Sequence, residues 1–328
     1  MFIHGVGVAF PERSLSNADR AALGIKLSQE QQNTAQRCGV VAQSISLPVE
    51  YIKATGNVDV LEAWKVATDT PTTLGVRAAR EALAKAGITI DSVGLLVADT
   101  ATPHQTCPSE AQRIAGEFGV KVPAYDIVGG IGAIPHYFSM FSSWREERLP
   151  DYSLCISTNT PSQHVCFNND PLAASVFGDS AIAILFSRRH SSAVRVVDAH
   201  VVHESKSRTP VVVEGQIRCV PEALLARQEL ASFISSELER IKSRGFTIGS
   251  STTVIPPQLY ASEAAEILKD FGIAGDRVVS SVGSRGFSIG SSYGVALAQS
   301  WGALLDGGSV VMLHCGDGMR GSVVLGPS

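Results

Sequence analysis

What most limits the fold of this 328-residue chain is an order of helices and strands that is written twice. In the first half, "TTLGVRAAREALAKAGI" sets Leu74, Ala78, Ala79, Ala82, Leu83 and Ala86 on one helical face, and Gly87 supplies a stop. The run "DSVGLLVADT" reads as a buried strand, "PSEAQRIAGEFGV" as a second helix opening at Pro108 and Ser109, and "VPAYDIVG" as a second strand. The second half replays this order. A helix in "ASFISSELERIKSRGF" precedes a strand in "TIGSSTTVIP" and a helix in "ASEAAEILKDFGI". A strand, a Gly/Ser-rich turn and a long helix then follow in "DRVVSSVGSRGFSIGSSYGVALAQSWGALL". Alternation of this kind implies an α/β layered fold. The imperfect duplication implies two like halves, 1–187 and 188–328, meeting near the sparse "SRRHSSAVRV".

Composition excludes several partner classes. With 45% apolar residues, 18% charged residues and a net charge of -4, the chain has no bias toward polyanions, so no nucleic-acid partner is expected. Its longest apolar runs, "VGLLVA" and "SVVMLHC", are strand-length and far short of the roughly 20 residues that span a bilayer. The opening "MFIHGVGVAF" shows neither a basic region nor a small-residue cleavage site, so the expected location is cytoplasmic, away from the membrane. Cysteines at 38, 107, 155, 166, 219 and 315 lack CxxC spacing. That pattern argues against a structural metal or a disulfide framework, and most of these thiols are expected to be small buried residues.

The stretch "AYDIVGGIGAIPHYF" reads as the loop and helix that present a catalytic nucleophile, yet no Cys, Ser or Lys stands at its turn. Together with "GVRAAREALAKAGITIDSVGLLVADTATPHQTCPSEAQRIAGEFGV", "VFGDSAIAILFS" and "GDGMRGSVVL", it resembles the thiolase superfamily, specifically the β-ketoacyl-acyl-carrier-protein synthase III branch. The resemblance runs over nearly the whole chain. It implies a duplicated, five-layered αβαβα thiolase fold and a two-fold dimer built through the first half. That branch uses a Cys at a helix N-terminus, where the helix dipole and backbone N–H groups favour the thiolate, with a His and an Asn as partners. The matching positions here are Ile131 for the Cys, Pro257 for the His of the Pro-His-Gln-Ala-Asn motif, and Phe287 for the Asn of the His-Gly-Asn-Thr-Ser motif. All three are apolar. The resemblance therefore implies neither an acyl-enzyme nor support for a thioester enolate, and an old cavity closed into core is the competing expectation.

Other positions keep alternatives open. "QRCGV" places Arg37 where an Arg contacts the nucleotide of coenzyme A in that family, but the aromatic partner four residues earlier is Asn33 and the second phosphate-side Arg is Ser262. Arg37 is then either a substrate contact or an exposed surface residue. In "VVMLHCGDGMRG", His314 stands where thiolases carry an acid/base Cys, so it is either a general base with a pKa near 7 or a core histidine. Asp317 interrupts the triple glycine that helps form the oxyanion hole, leaving Gly316 and Gly318 as substrate-side positions, and it also suits plain turn chemistry. Cys107 falls in the segment that reaches across the family's dimer. It is either a thiol acting in trans with its pKa lowered by His104, or a small buried interface residue.

Two functions follow. One is an enzyme of acyl-thioester biosynthesis, fatty-acid, polyketide-type or specialised, that takes acyl-CoA or acyl-ACP through altered acyl transfer, hydrolysis or cyclisation using His314, Asp317 or Cys107. The other is a non-catalytic partner subunit of a Cys-containing synthase homologue. Both readings imply a homodimer or heterodimer, allow an acyl carrier protein as partner, and require no cofactor.

Overall fold

The computed structural model describes residues 1–204 and 209–328. Its main sheet has nine strands: β1 (Phe2–Ala9), β2 (Val93–Asp99), β3 (Ala124–Asp126), β4 (Tyr152–Asn159), β5 (Ser180–Ser187), β6 (Val194–His203), β7 (Thr252–Ile255), β8 (Ser309–Gly316) and β9 (Met319–Pro327). They run in the order β7-β8-β9-β6-β1-β5-β4-β2-β3. Counted outward from β1, the first half runs first, fifth, fourth, second, third; the four strands of the second half, counted outward from β6, run first, fourth, third, second, the same order with the third place left out. A single parallel bridge, Val254 to Val278, continues the second half at the place that β3 holds in the first. The senses match as well. Parallel pairs join β2 to β4 and β7 to β8, and antiparallel pairs join β4 to β5 and β8 to β9. The halves meet where β1 pairs antiparallel with β6 through Phe2–Arg195 and Ile3–Val194.

Eight helices matter for the site: α1 (Asn17–Ala22), α2 (Gln29–Cys38), α3 (Pro71–Ala86), α4 (Glu110–Phe118), α5 (Ala133–Ser143), α6 (Arg227–Ser243), α7 (Ala261–Asp270) and α8 (Ser291–Gln299). Capping sets their limits. Thr70 caps α3, and Gly87 ends it in the left-handed conformation at φ 66°. Ser109 and Gln112 form a capping box on α4, while the Asp126 carboxylate at the end of β3 accepts the Glu110 and Ala111 N–H groups, each at 2.8 Å. The alanine stripe of α3 lets that helix lie close on the first half-sheet. Ala78, Ala82, Leu96, Ile114 and Ile156 share one core cluster there. Helices α5 and α8 occupy the middle, α5 reaching β4 on one side and β6 and β9 on the other. With α6 packed outside β8 and α7 against α6, the layers alternate αβαβα.

The sequence expectations differ from the structure in two elements. "VPAYDIVG" yields only the three-residue strand β3, because Gly129 and Gly130 turn the chain directly into α5. "DRVVSS" forms one bridge instead of a strand, and Val282–Arg285 already turns as a short helix.

Candidate active site

The elbow is held by groups behind it. Asp99, at the end of β2, accepts the Gly129 N–H at 2.9 Å and the Ser157 hydroxyl at 2.8 Å. Burial pushes this carboxyl up to about 6, against the pull of those same hydrogen bonds. Gly130 takes φ 54°, and a Cβ at Gly290, just before α8, would stand 2.6 Å from the Gly130 carbonyl oxygen. The turn is thus wedged between β2 and α8, and the next residue, Ile131, is fully buried at the start of the helical segment.

Around Ile131 the elbow closes on itself. Asp317, in the hairpin turn between β8 and β9 at φ 49°, accepts the Ile131 N–H on Oδ2 at 3.1 Å. Burial raises this carboxyl's pKa, and the Ile131 N–H lowers it in part. Its second oxygen, Oδ1, has no hydrogen-bond partner among the described residues, and Asp317 lines a cavity of about 160 Å³ together with Tyr260, Cys315 and Arg320. A pocket for a drug-sized ligand runs to at least about 300 Å³. Gly316 packs on the Ile131 side chain, since a Cβ there would lie 3.3 Å from Cδ1. Gly318, at φ 73°, accepts the Glu204 N–H on its carbonyl at 2.7 Å.

His314 does not meet the description of a base with a pKa near 7. It is fully buried on β8, and burial, helped by repulsion from His203, pushes its pKa down to about 3. Its Nδ1 lies 3.0 Å from the Tyr293 hydroxyl, which accepts the Gln258 N–H at 3.3 Å. The Tyr293 proton is therefore assigned to His314 Nδ1, and the ring proton to Nε2, which has no partner among the described residues. Nε2 faces α5 so closely that a Cβ at Gly132 would stand 2.5 Å from it and 2.6 Å from Met319 Cε. A neutral, enclosed imidazole fits the core alternative.

The other positions are equally committed. Phe287 is fully buried, with its ring 6.0 Å from Phe177 and its N–H donated to Val176 at 2.8 Å. Pro257 is buried and accepts the Tyr260 N–H at 3.0 Å in the turn before α7. Arg37 is neither an exposed surface residue nor free for a ligand. It pairs with Glu263 at 2.7 Å, donates to the Leu225 carbonyl and lies 5.4 Å over the Tyr260 ring, tying α2 to α7. Ser262, the second phosphate-side position, packs on Gly39 at the end of α2. Cys107 is exposed in this single chain, and the other five cysteines are buried. His104 is turned to other work: it stacks on Trp64 at 4.8 Å, bonds Gln163 at 2.5 Å, and is pushed by burial to about 4.

The structure therefore gathers Ile131, His314, Gly316 and Asp317 at one elbow and leaves Arg37 and Cys107 in other neighbourhoods. Sequence reasoning missed Asp99, Tyr293 and Met319. Only Asp99 carried a signal, an acidic residue closing an otherwise apolar strand.

Duplicated half-sheets on two central helices, with an elbow leading into one of them, define a thiolase fold of the ketoacyl-synthase type. The comparisons agree and go one step further, to homology with the β-ketoacyl-[acyl-carrier-protein] synthases III. The enzyme of that name from Symbiobacterium thermophilum is 25% identical over 335 residues, covering 97% of this chain and 94% of the relative. Crystal structures of 3-oxoacyl-acyl-carrier-protein synthases III superpose over 99% of this chain. The one from Aquifex aeolicus has a TM-score of 0.78 at 21% identity, with 99% of that chain covered. The one from Pseudomonas aeruginosa has 0.76 at 23%, with 97% covered. No family model matches the chain. Among the described residues, no helix is long and apolar enough to cross a membrane, and no group of three or more His, Cys, Asp or Glu side chains is placed to hold a metal ion.

Proposed function

We propose that this chain is a non-condensing relative of the synthases III in acyl-thioester biosynthesis, acting as a partner subunit of a Cys-containing homologue. The observation that carries the proposal is the Ile131 N–H donated to the Asp317 carboxylate. An amide at this turn would stabilise a developing oxyanion; here it already faces a carboxylate of its own chain, and a second anion would be repelled. No side chain at the elbow offers a nucleophile, and the nearest histidine is neutral and enclosed. These facts weigh against turnover by His314 or Asp317. The first half meanwhile presents an edge that calls for cover. Strand β3 ends the sheet, and Tyr125 and Val128 beside it are 56% and 65% exposed. Open strand edges with exposed apolar side chains are paired or guarded in stable proteins. The repeated strand order supports reading 1–187 and 188–328 as a duplicated unit, with the partner surface on the first half.

The test is co-expression with a Cys-containing synthase homologue from the same genome, followed by native mass spectrometry and a condensation assay. The expected result is a one-to-one complex that Tyr125→Asp disrupts, with acyl groups on the homologue alone. Condensation by this chain without a partner would overturn the proposal.

A further inference from the structure

The largest opening near the N-terminus is chemically unlike the elbow. A cavity of about 810 Å³ lies between α1, the loop that follows it, and α2, with Arg20, Lys26, Asn17 and Gln36 among its lining residues and no Asp or Glu among them. Arg20 is 6% exposed and makes no ion pair among the described residues. Its guanidinium donates only to neutral acceptors: Gln43 Oε1 at 2.7 Å, Asn17 Oδ1 and the Val41 carbonyl at 3.4 Å. Burying a cation without an anion is costly, and neutral acceptors offset only part of the cost. The nearest carboxylate in sequence, Asp19, attracts Arg20 through space but forms no ion pair with it; its Oδ2 accepts the Ser16 N–H at 2.8 Å and the Ser16 hydroxyl at 2.6 Å. Lys26 adds an exposed cation that is also without an ion pair among the described residues.

We propose that this cavity binds a small phosphorylated organic molecule. Two cations and side-chain amides facing one space suit a dianion better than a monoanion, and a phosphomonoester is close to a dianion at neutral pH. The volume exceeds what inorganic phosphate needs, and Ile25 and Leu27 supply an apolar wall for an organic body. The site is separate from the face of α2 that carries Arg37, which turns toward α7 and its ion pair with Glu263. The assignment is independent of the reading of the elbow.

Calorimetric titration of the full chain with phenyl phosphate tests it, with phenol, benzoate and inorganic phosphate as comparison probes. Phenyl phosphate should bind saturably at one site and raise the melting temperature, with phenol silent and benzoate and inorganic phosphate each weaker by at least about tenfold. Lys26→Glu and Gln36→Glu alter exposed side chains, and each should weaken phenyl phosphate by about tenfold or more. Arg20→Gln should abolish binding if the variant folds. Absence of saturable binding, an affinity unmoved by both surface variants, or benzoate binding as tightly as phenyl phosphate would each overturn the assignment.

Discussion

Replacing His314 by Phe separates an enclosed core ring from a proton-accepting one through the pH dependence of stability. In the folded protein the ring stays neutral, with a pKa pushed down to about 3 by burial, while the unfolded chain takes up the proton from about 6.5 downward. The unfolded state therefore binds more protons in that window, and stability falls as pH falls from 6.5 toward 3. At about 1.36 kcal/mol per pH unit, this one group costs the wild type about 2 kcal/mol on going from pH 7 to pH 5. At pH 7 the Phe variant loses the Tyr293 hydrogen bond but also removes an unpaired buried nitrogen. These are opposing effects of about 1–3 kcal/mol each, so the variant starts within about 1 or 2 kcal/mol of wild type. Asp99 and Asp179, both pushed up to about 6 by burial, work in the opposite direction and gain stability as pH falls below 6. They are common to both proteins, so only the difference between wild type and variant isolates His314. Urea unfolding of both at pH 7, 6 and 5, followed by tryptophan fluorescence, should show the difference shifting by about 2 kcal/mol in favour of the variant. A difference constant to about 0.5 kcal/mol would mean that the folded ring takes a proton freely, and the argument for a closed elbow would fail.

Incubation with acyl-CoA or acyl-ACP should leave no adduct at residue 131 by intact-mass analysis. Ile131→Cys alone should not create condensation, because Asp317 still holds the residue-131 amide and Pro257 and Phe287 offer no donor to an enolate. Arg37→Ala should lower unfolding free energy by about 1–2 kcal/mol, discounted for partial exposure of its pair with Glu263, while leaving coenzyme A affinity unchanged. Gly132→Ala should cost about 1–3 kcal/mol in chemical denaturation, since the added methyl meets His314 and Met319 at contact distances no packed core tolerates.

Much of the fold was legible because it rests on local chemistry that the chain spells out. The alanine face of α3, the glycine at 87 and the helix start at Pro108 and Ser109 are local signals, and each forms as read. The replayed order of elements was equally visible, since it needs only periodicity. The elbow was legible as a turn, and the apolar residues at 131, 257 and 287 could be read off directly. What the sequence concealed were contacts between distant positions. Nothing near Asp317 says that its carboxylate reaches an amide 186 residues away, and nothing near Arg37 says that Glu263 will claim it. His314 shows the same limit: whether an imidazole titrates near neutrality depends on Tyr293, Gly132 and the depth of burial, all set by packing. The "DRVVSS" segment has strand composition but loses its pairing to geometry, because the chain turns at Val282 after a single bridge.

The hydrogen bond from Ile131 to Asp317 also gives the molecule an internal clock. Its donor belongs to the first half of the chain and its acceptor to the second, so the amide proton can reach solvent only when the two halves part or the β8–β9 hairpin swings away. In deuterated water, the exchange rate of that one proton would report how often the elbow opens, and so the free energy that keeps it closed.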